Sequence, residues 1–286
     1  MASLNPESDI AAFVGTIFQG AILTARDNNV MTGLVRAYND RSGLAVRQNS
    51  QYGGATMNTV AETDDLVGQA FTPSSIATLT PTEAAAQYML TDSRVETDPF
   101  SVRMDAQSDL GEAMATKMET DLISDFTSFT AGTIGAAGSL ITWSYLFAME
   151  TKLRNQKAPY PYFCVMTPNM WFQLAKAASV ASSVATNVPD SLKEQVNASF
   201  FVRQAGGISL FVSGNFTDIS GDDAYVGMWS RDALALDMRR QPRLEPERDA
   251  SRRAWELNMS AVYAHGVWRP KFGCAGLFAD DAVTGA

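Results

Sequence analysis

Two cysteines and one histidine in 286 residues leave little material for metal or redox chemistry. A disulfide scaffold is excluded. Cys164 and Cys274 each sit in an apolar run, Tyr-Phe-Cys-Val-Met and Phe-Gly-Cys-Ala-Gly, where a free thiol behaves as a small buried hydrophobe. Zinc ligation fails with two distant thiols and His265, and the Asp-rich stretches lack the spacing of a calcium loop, so no cofactor is expected. No Gly-x-Gly-x-x-Gly follows a strand-like run and no Gly-Lys dipeptide occurs, which removes the backbone cradle that nucleotide phosphates need. A Gly-x-Ser-x-Gly elbow is missing too, so a Ser-His-Asp hydrolase would have to rest on His265 alone.

Positive charge is scarce at first. No lysine precedes Lys117, and the net charge is −9 from 22 basic and 31 acidic residues. A chain built to grip nucleic acid needs clustered cations, so DNA is at most a neighbour here. The imbalance is uneven: residues 1–150 hold 7 basic and 18 acidic side chains, and 151–286 hold 15 and 13. Long apolar runs are also wanting. Residues 10–25 follow Glu7 and Asp9 where a signal peptide would be basic, so no export is expected. Residues 127–149 carry no charge but begin with Gly, Ser, Thr and Ala, too polar for a bilayer span; they read as a loop feeding a helix, and no membrane partner is expected. With 46% hydrophobic and 19% charged residues, the chain is a folded one with a sizeable core.

The pass along the chain predicts mixed α+β structure. Ile10, Val14, Ile17, Phe18 and Ile22 suggest an N-terminal helix. Residues 43–91 are rich in Val, Thr, Ala and Gln, with Gly53-Gly54 and with Pro73 and Pro81 breaking any helix. Read as two extended limbs of about 20 residues, this segment reaches ~60 Å, more than a compact domain absorbs. Its acidic tip, Glu62-Thr63-Asp64-Asp65, and its unprotected strand edges call for cover by a partner subunit. From Ser101 to Phe126, Ala106, Leu110, Met114, Met118 and Leu122 form an i, i+4 stripe; Asp105, Asp109, Glu112, Glu119 and Asp121 are assigned to a solvated opposite face.

A second helix is predicted over residues 139–156 and a buried strand over 160–166, followed by a helix capped by Thr167 with Pro168 in its first turn. Ser191 and Glu194 fit a capping box. Strands are predicted at 208–212, 224–229, 233–238 and 255–263. Seven arginines fall between Arg231 and Arg253, including Arg239, Arg240, Arg243, Arg248, Arg252 and Arg253, interleaved with Glu245, Glu247 and Asp249. Such a run is either a self-paired, solvated loop or an intersubunit contact.

The stretch from Gly227-Met-Trp-Ser-Arg through Glu245-Pro-Glu-Arg-Asp to Ser260-Ala-Val-Tyr-Ala-His-Gly-Val-Trp-Arg269-Pro270 resembles the tail of tailed-bacteriophage major capsid proteins, which share their fold with encapsulins. The order of earlier elements is similar too, including the strand-to-helix turn Val165-Met166-Thr167-Pro168. The resemblance implies an N-terminal arm at 1–42, an extended two-stranded E-loop at 43–91, a P-domain at 92–159 with a spine helix over about 100–127, an A-domain at 160–228, and returning P-domain strands at 229–286. It implies a virion protein with no enzymatic role, assembled in the host bacterial cytoplasm into hexamers and pentamers of an icosahedral shell around DNA that it does not read. Portal and scaffolding proteins are implied partners, the scaffold being separate because no long removable N-terminal segment is seen. Some members weld neighbours through an E-loop lysine; residues 43–91 contain none, so non-covalent contacts or a cementing protein must hold the shell.

Charge complementarity suggests that Glu62, Asp64 and Asp65 of one copy meet Arg239, Arg240, Arg243, Arg248, Arg252 or Arg253 of a neighbour. The acidic helix face is expected to point inward, repelling packaged DNA. An encapsulin-like nanocompartment is the nearest alternative, and an acidic cytosolic hydrolase using His265 is the alternative of a different class.

Overall fold

The computed structural model describes residues 30–51, 57–60, 62, 65, 68, 74–97, 101–181, 203–205, 207–216 and 222–281. The predicted N-terminal helix, Asp64 and the Ser191–Glu194 capping box lie outside them.

A four-stranded sheet carries the longest strands. Its centre is a hairpin of β10 (Leu234–Asp249) and β11 (Ala254–Val267), at ~3.3 Å per residue about 50 Å along β10. The antiparallel ladder runs from Leu234 opposite Val267 to Asp249 opposite Ala254, with shifts between Met238 and Arg243. Pro242 lies within the shifted stretch, and a residue without an N–H interrupts a regular ladder. β1 (Arg36–Tyr38) joins β10 in parallel, and β4 (Thr82–Thr91) joins β11 antiparallel over ten consecutive pairs.

The long helix Ser101–Ser124 packs on this sheet. Its stripe is buried from Leu110 on, with Leu110, Met114, Met118 and Leu122 all at 5% exposure or less, and is half-buried at Ala106. The opposite face is less uniform. Asp105, Asp109 and Glu112 are exposed, but Glu119 is fully buried and Asp121 is largely covered. Gly111, Ala115 and Glu119 form a second buried row at four-residue spacing, whose two small residues let another part of the chain come close.

A six-stranded sheet runs in the order β5 (Thr133–Gly135), β12 (Gly273–Ala279), β9 (Asp223–Ser230), β6 (Tyr162–Met166), β8 (Ile208–Val212), β7 (Arg203–Ala205). The C-terminal strand β12 therefore returns to the sheet of β6 and β9, not to the long hairpin. Helices Trp143–Asn155 and Pro168–Ala181 pack on it through Leu146, Met149, Leu153, Met170 and Leu174. Thr167 caps the second helix, its Oγ1 accepting from the Met170 N–H at 3.3 Å. Cys164 and Cys274 are both paired opposite Met228 on flanking strands and are fully buried, which pushes the Cys274 thiol up to about 11.

The two sheets meet at Phe126, which packs against Trp229, Phe129 and Phe216. Gly227 faces that ring: a Cβ there would lie 2.7 Å from it. Among the described residues no helix is long and apolar enough to cross a membrane.

Candidate functional site

A third, two-stranded unit is a ribbon of β2 (Arg47–Gln51) and β3 (Ser74–Leu79). It is shorter than the extended segment read from the sequence, because residues 82–91 belong to the four-stranded sheet as β4. Its root is packed: Ala77 and Leu79 are buried with Ala235, Ala264 and Trp268, and Tyr38 packs alongside. Beyond the root the described residues are exposed, among them Met57, Val60, Glu62 and Asp65.

The root also holds a buried charge network. Arg47 donates from Nε to Asp237 Oδ2 at 2.7 Å and pairs with Asp40, while its guanidinium lies 4.2 Å from the Tyr38 ring centre. Arg239 forms an ion pair with the same Asp237 oxygen and donates to the Ala45 carbonyl, each at 2.8 Å. Burial opposes the charge on Arg47, but its bonds to Asp237 and Asp40 more than offset it, and the guanidinium is held above its ordinary range. Arg47 was not singled out in the sequence, although it is the one charged residue between Arg41 and Glu62, a signal that could have marked it.

The six arginines of the sequence analysis divide. Arg239 turns inward, its side chain 1% exposed. Arg240 pairs with Glu83 and donates to Ser260 Oγ at 3.1 Å. Arg243 pairs with Glu245 at 3.2 Å. Arg248 forms two parallel bonds of 2.6 Å to Asp92, which hold that carboxyl below its ordinary range. Arg252 stands 3.6 Å from Asp249, and Arg253, at φ 50°, accepts the Asp92 N–H on its carbonyl in the hairpin turn. Arg243, Arg248, Arg252 and Arg253 are exposed, as are Glu62 and Asp65. Within one copy these acidic and basic groups make no contact that the described residues record.

The buried Glu119 joins three parts of the chain. It accepts the Val30 N–H at 3.1 Å on Oε2 and the Ser213 hydroxyl on Oε1. His265 sits against the end of the same helix, with Nδ1 3.0 Å from Asp125 and Nε2 3.9 Å from Asp121. Tyr263 donates to Asp121 at 2.7 Å, and Lys117 pairs with the other Asp121 oxygen at 2.5 Å. The bond to Asp125 raises the His265 pKa against the opposing effect of burial. Its recorded partners are carboxylates, with no serine or cysteine nucleophile among them. Among the described residues no group of His, Cys, Asp and Glu could hold a metal ion.

A family model described as phage capsid protein matches residues 75–275. Among solved structures the chain is similar to that of Mycobacterium phage Che8 (16% identity, TM-score 0.68, covering 87% of this chain and 90% of that one). It is also similar to the capsid of Cyanophage P-SCSP1u (13%, 0.66, 88% and 89%) and to a virus-like particle from Pyrococcus furiosus (10%, 0.59, 92% and 98%). No curated protein compared with the chain matches it.

Proposed function

The chain belongs to the phage capsid protein family, and from that premise we propose that it is the major capsid protein of a tailed phage, its shell held by non-covalent clasping of the ribbon by neighbouring copies. The observation that carries this reading is the contrast along the ribbon: a root locked by Asp237, Arg47 and Trp268, and exposed apolar and acidic residues beyond it. Met57 and Val60, exposed beyond the packed root, offer a neighbouring copy apolar surface to cover. The acidic segment, Glu62, Asp64 and Asp65, meets the hairpin arginines of a neighbour, with Arg243, Arg248, Arg252 and Arg253 the exposed contributors. Such pairs set register more than affinity.

Subunits assemble in the host cytoplasm into hexamers and pentamers, on a separate scaffold and around a portal. Packaged DNA lies inside without being read. The exposed Asp105, Asp109 and Glu112 suit an inner wall that repels phosphate.

Expression followed by negative-stain microscopy tests the reading: closed particles tens of nanometres across are expected, and a discrete small oligomer overturns it. A second reading, an encapsulin-like nanocompartment, draws on the likeness to the Pyrococcus furiosus virus-like particle. Genome-length DNA in particles purified from the native source decides for the phage shell, and an enclosed protein decides for the compartment.

A further inference from the structure

β4 forms one edge of the four-stranded sheet, and among the described residues it pairs only with β11. An edge strand presents a row of backbone N–H and C=O groups that can template another strand. Soluble proteins blunt such edges with proline, lysine, bulges or brevity. β4 uses none of these. It is ten residues long, Thr-Glu-Ala-Ala-Ala-Gln-Tyr-Met-Leu-Thr, with Glu83 its one charge, and its ladder to β11 shows no shift. The opposite edge, β1, is three residues long. Tyr88 and Met89 are each 40% exposed on β4, large side chains with room beside them.

The order of side chains points to an occupant. The three alanines lie in the first half of the strand and the three large side chains, Tyr88, Met89 and Leu90, in the second. Two antiparallel copies related by a twofold axis normal to the sheet keep their faces, so residue i meets residue j only when both have the same parity. With Gln87 on the axis, Ala84 meets Leu90, Ala85 meets Met89 and Ala86 meets Tyr88. Every large side chain then faces a methyl group, Glu83 faces Thr91, and no like charges oppose each other. The two Gln87 amides meet at the axis, where each can donate and accept.

We propose that the free edge of β4 pairs antiparallel with β4 of a second copy in this register, making the two four-stranded sheets continuous across an isologous contact. The proposal relies on the shell reading only for the presence of neighbouring copies, and it adds a contact distinct from the clasped ribbon. Cross-strand pairs of this kind place Cβ atoms within ~4.5–5.5 Å, so the register can be read by crosslinking.

The experiment applies a short thiol-to-thiol crosslinker to assembled particles carrying Gln87→Cys or, as control, Thr82→Cys. Both positions are exposed, and the native Cys164 and Cys274 are fully buried. Gln87→Cys is expected to give covalent dimers in most subunits. Thr82→Cys, ~30 Å from its symmetry mate at 3.3 Å per residue, is expected to give none. Should Gln87→Cys disturb folding through its lost bond to Glu256, mixed particles of Ala85→Cys and Met89→Cys subunits are expected to crosslink only between the two kinds.

Intact particles in which these cysteines stay unlinked overturn the proposal. So does coupling of Gln87→Cys to a second cysteine introduced at Met57, which would assign the edge to a neighbour's ribbon. If the unmodified chain forms no particles, the shell reading falls, and the same crosslinks on the soluble chain decide the strand pairing on their own.

Discussion

Two buried or half-buried polar residues, Glu119 and His265, and one close-packed glycine do more to define this molecule than its surface charge. Glu119 is the acceptor for a backbone N–H at Val30 and a hydroxyl at Ser213 in a site closed to water. Glu119→Ala leaves both donors without a partner and is expected to cost ~1–3 kcal/mol, seen as a lower midpoint in thermal unfolding, with Glu119→Gln in between. Gly227→Ala drives a methyl into the Phe126 ring and is expected to destabilise by about 1–3 kcal/mol, measured by denaturant titration. His265 titrates in the opposite sense to a buried carboxylate. Its folded pKa is raised, so its stabilisation is complete below the unfolded value of 6.5 and is lost as pH rises through the folded one. The difference in thermal midpoint between the wild type and His265→Gln is therefore expected to be largest in mild acid and to shrink on going alkaline. A difference that grows with pH contradicts this assignment.

Elements with a strong local period were legible in the sequence, and those set by distant partners were not. The stripe from Leu110 to Leu122 and the Thr167-Pro168 start signal each reappear in the structure, since spacing and capping are local properties. Glu119 was misplaced on the solvated face because its neighbours in the buried row, Gly111 and Ala115, carry too little side chain to register as apolar. The extent of the ribbon was overestimated because nothing in residues 82–91 marks them as partners of β11, whose sequence lies 163 or more positions away at its nearest pair. Asp237 was passed over for the opposite reason: a lone acidic residue in a buried strand has meaning only beside Arg47 and Arg239. Removing its charge leaves the buried Arg239 without a carboxylate and Arg47 with Asp40 alone, so Asp237→Asn is expected to cost ~3–5 kcal/mol and to loosen the ribbon root, read as faster hydrogen exchange over Arg47–Gln51.

The whole molecule, over the described residues, is a pair of sheets meeting at one aromatic cluster, with a short two-stranded ribbon packed beside the four-stranded sheet. The core at Phe126 and Trp229 ties the sheets together, and Asp237 of the long hairpin holds the ribbon root. Reversing the tip with Asp64→Lys and Asp65→Lys is expected to lower particle yield at low salt and to leave subunit folding unchanged, measured by sedimentation beside circular dichroism. The clasped ribbon itself is tested most directly by hydrogen exchange across residues 52–73, between its two paired strands, compared between intact particles and dissociated subunits. Slow exchange of that stretch only in the particle is the expected result; equal rates in the two states would contradict a shell held together by its ribbons.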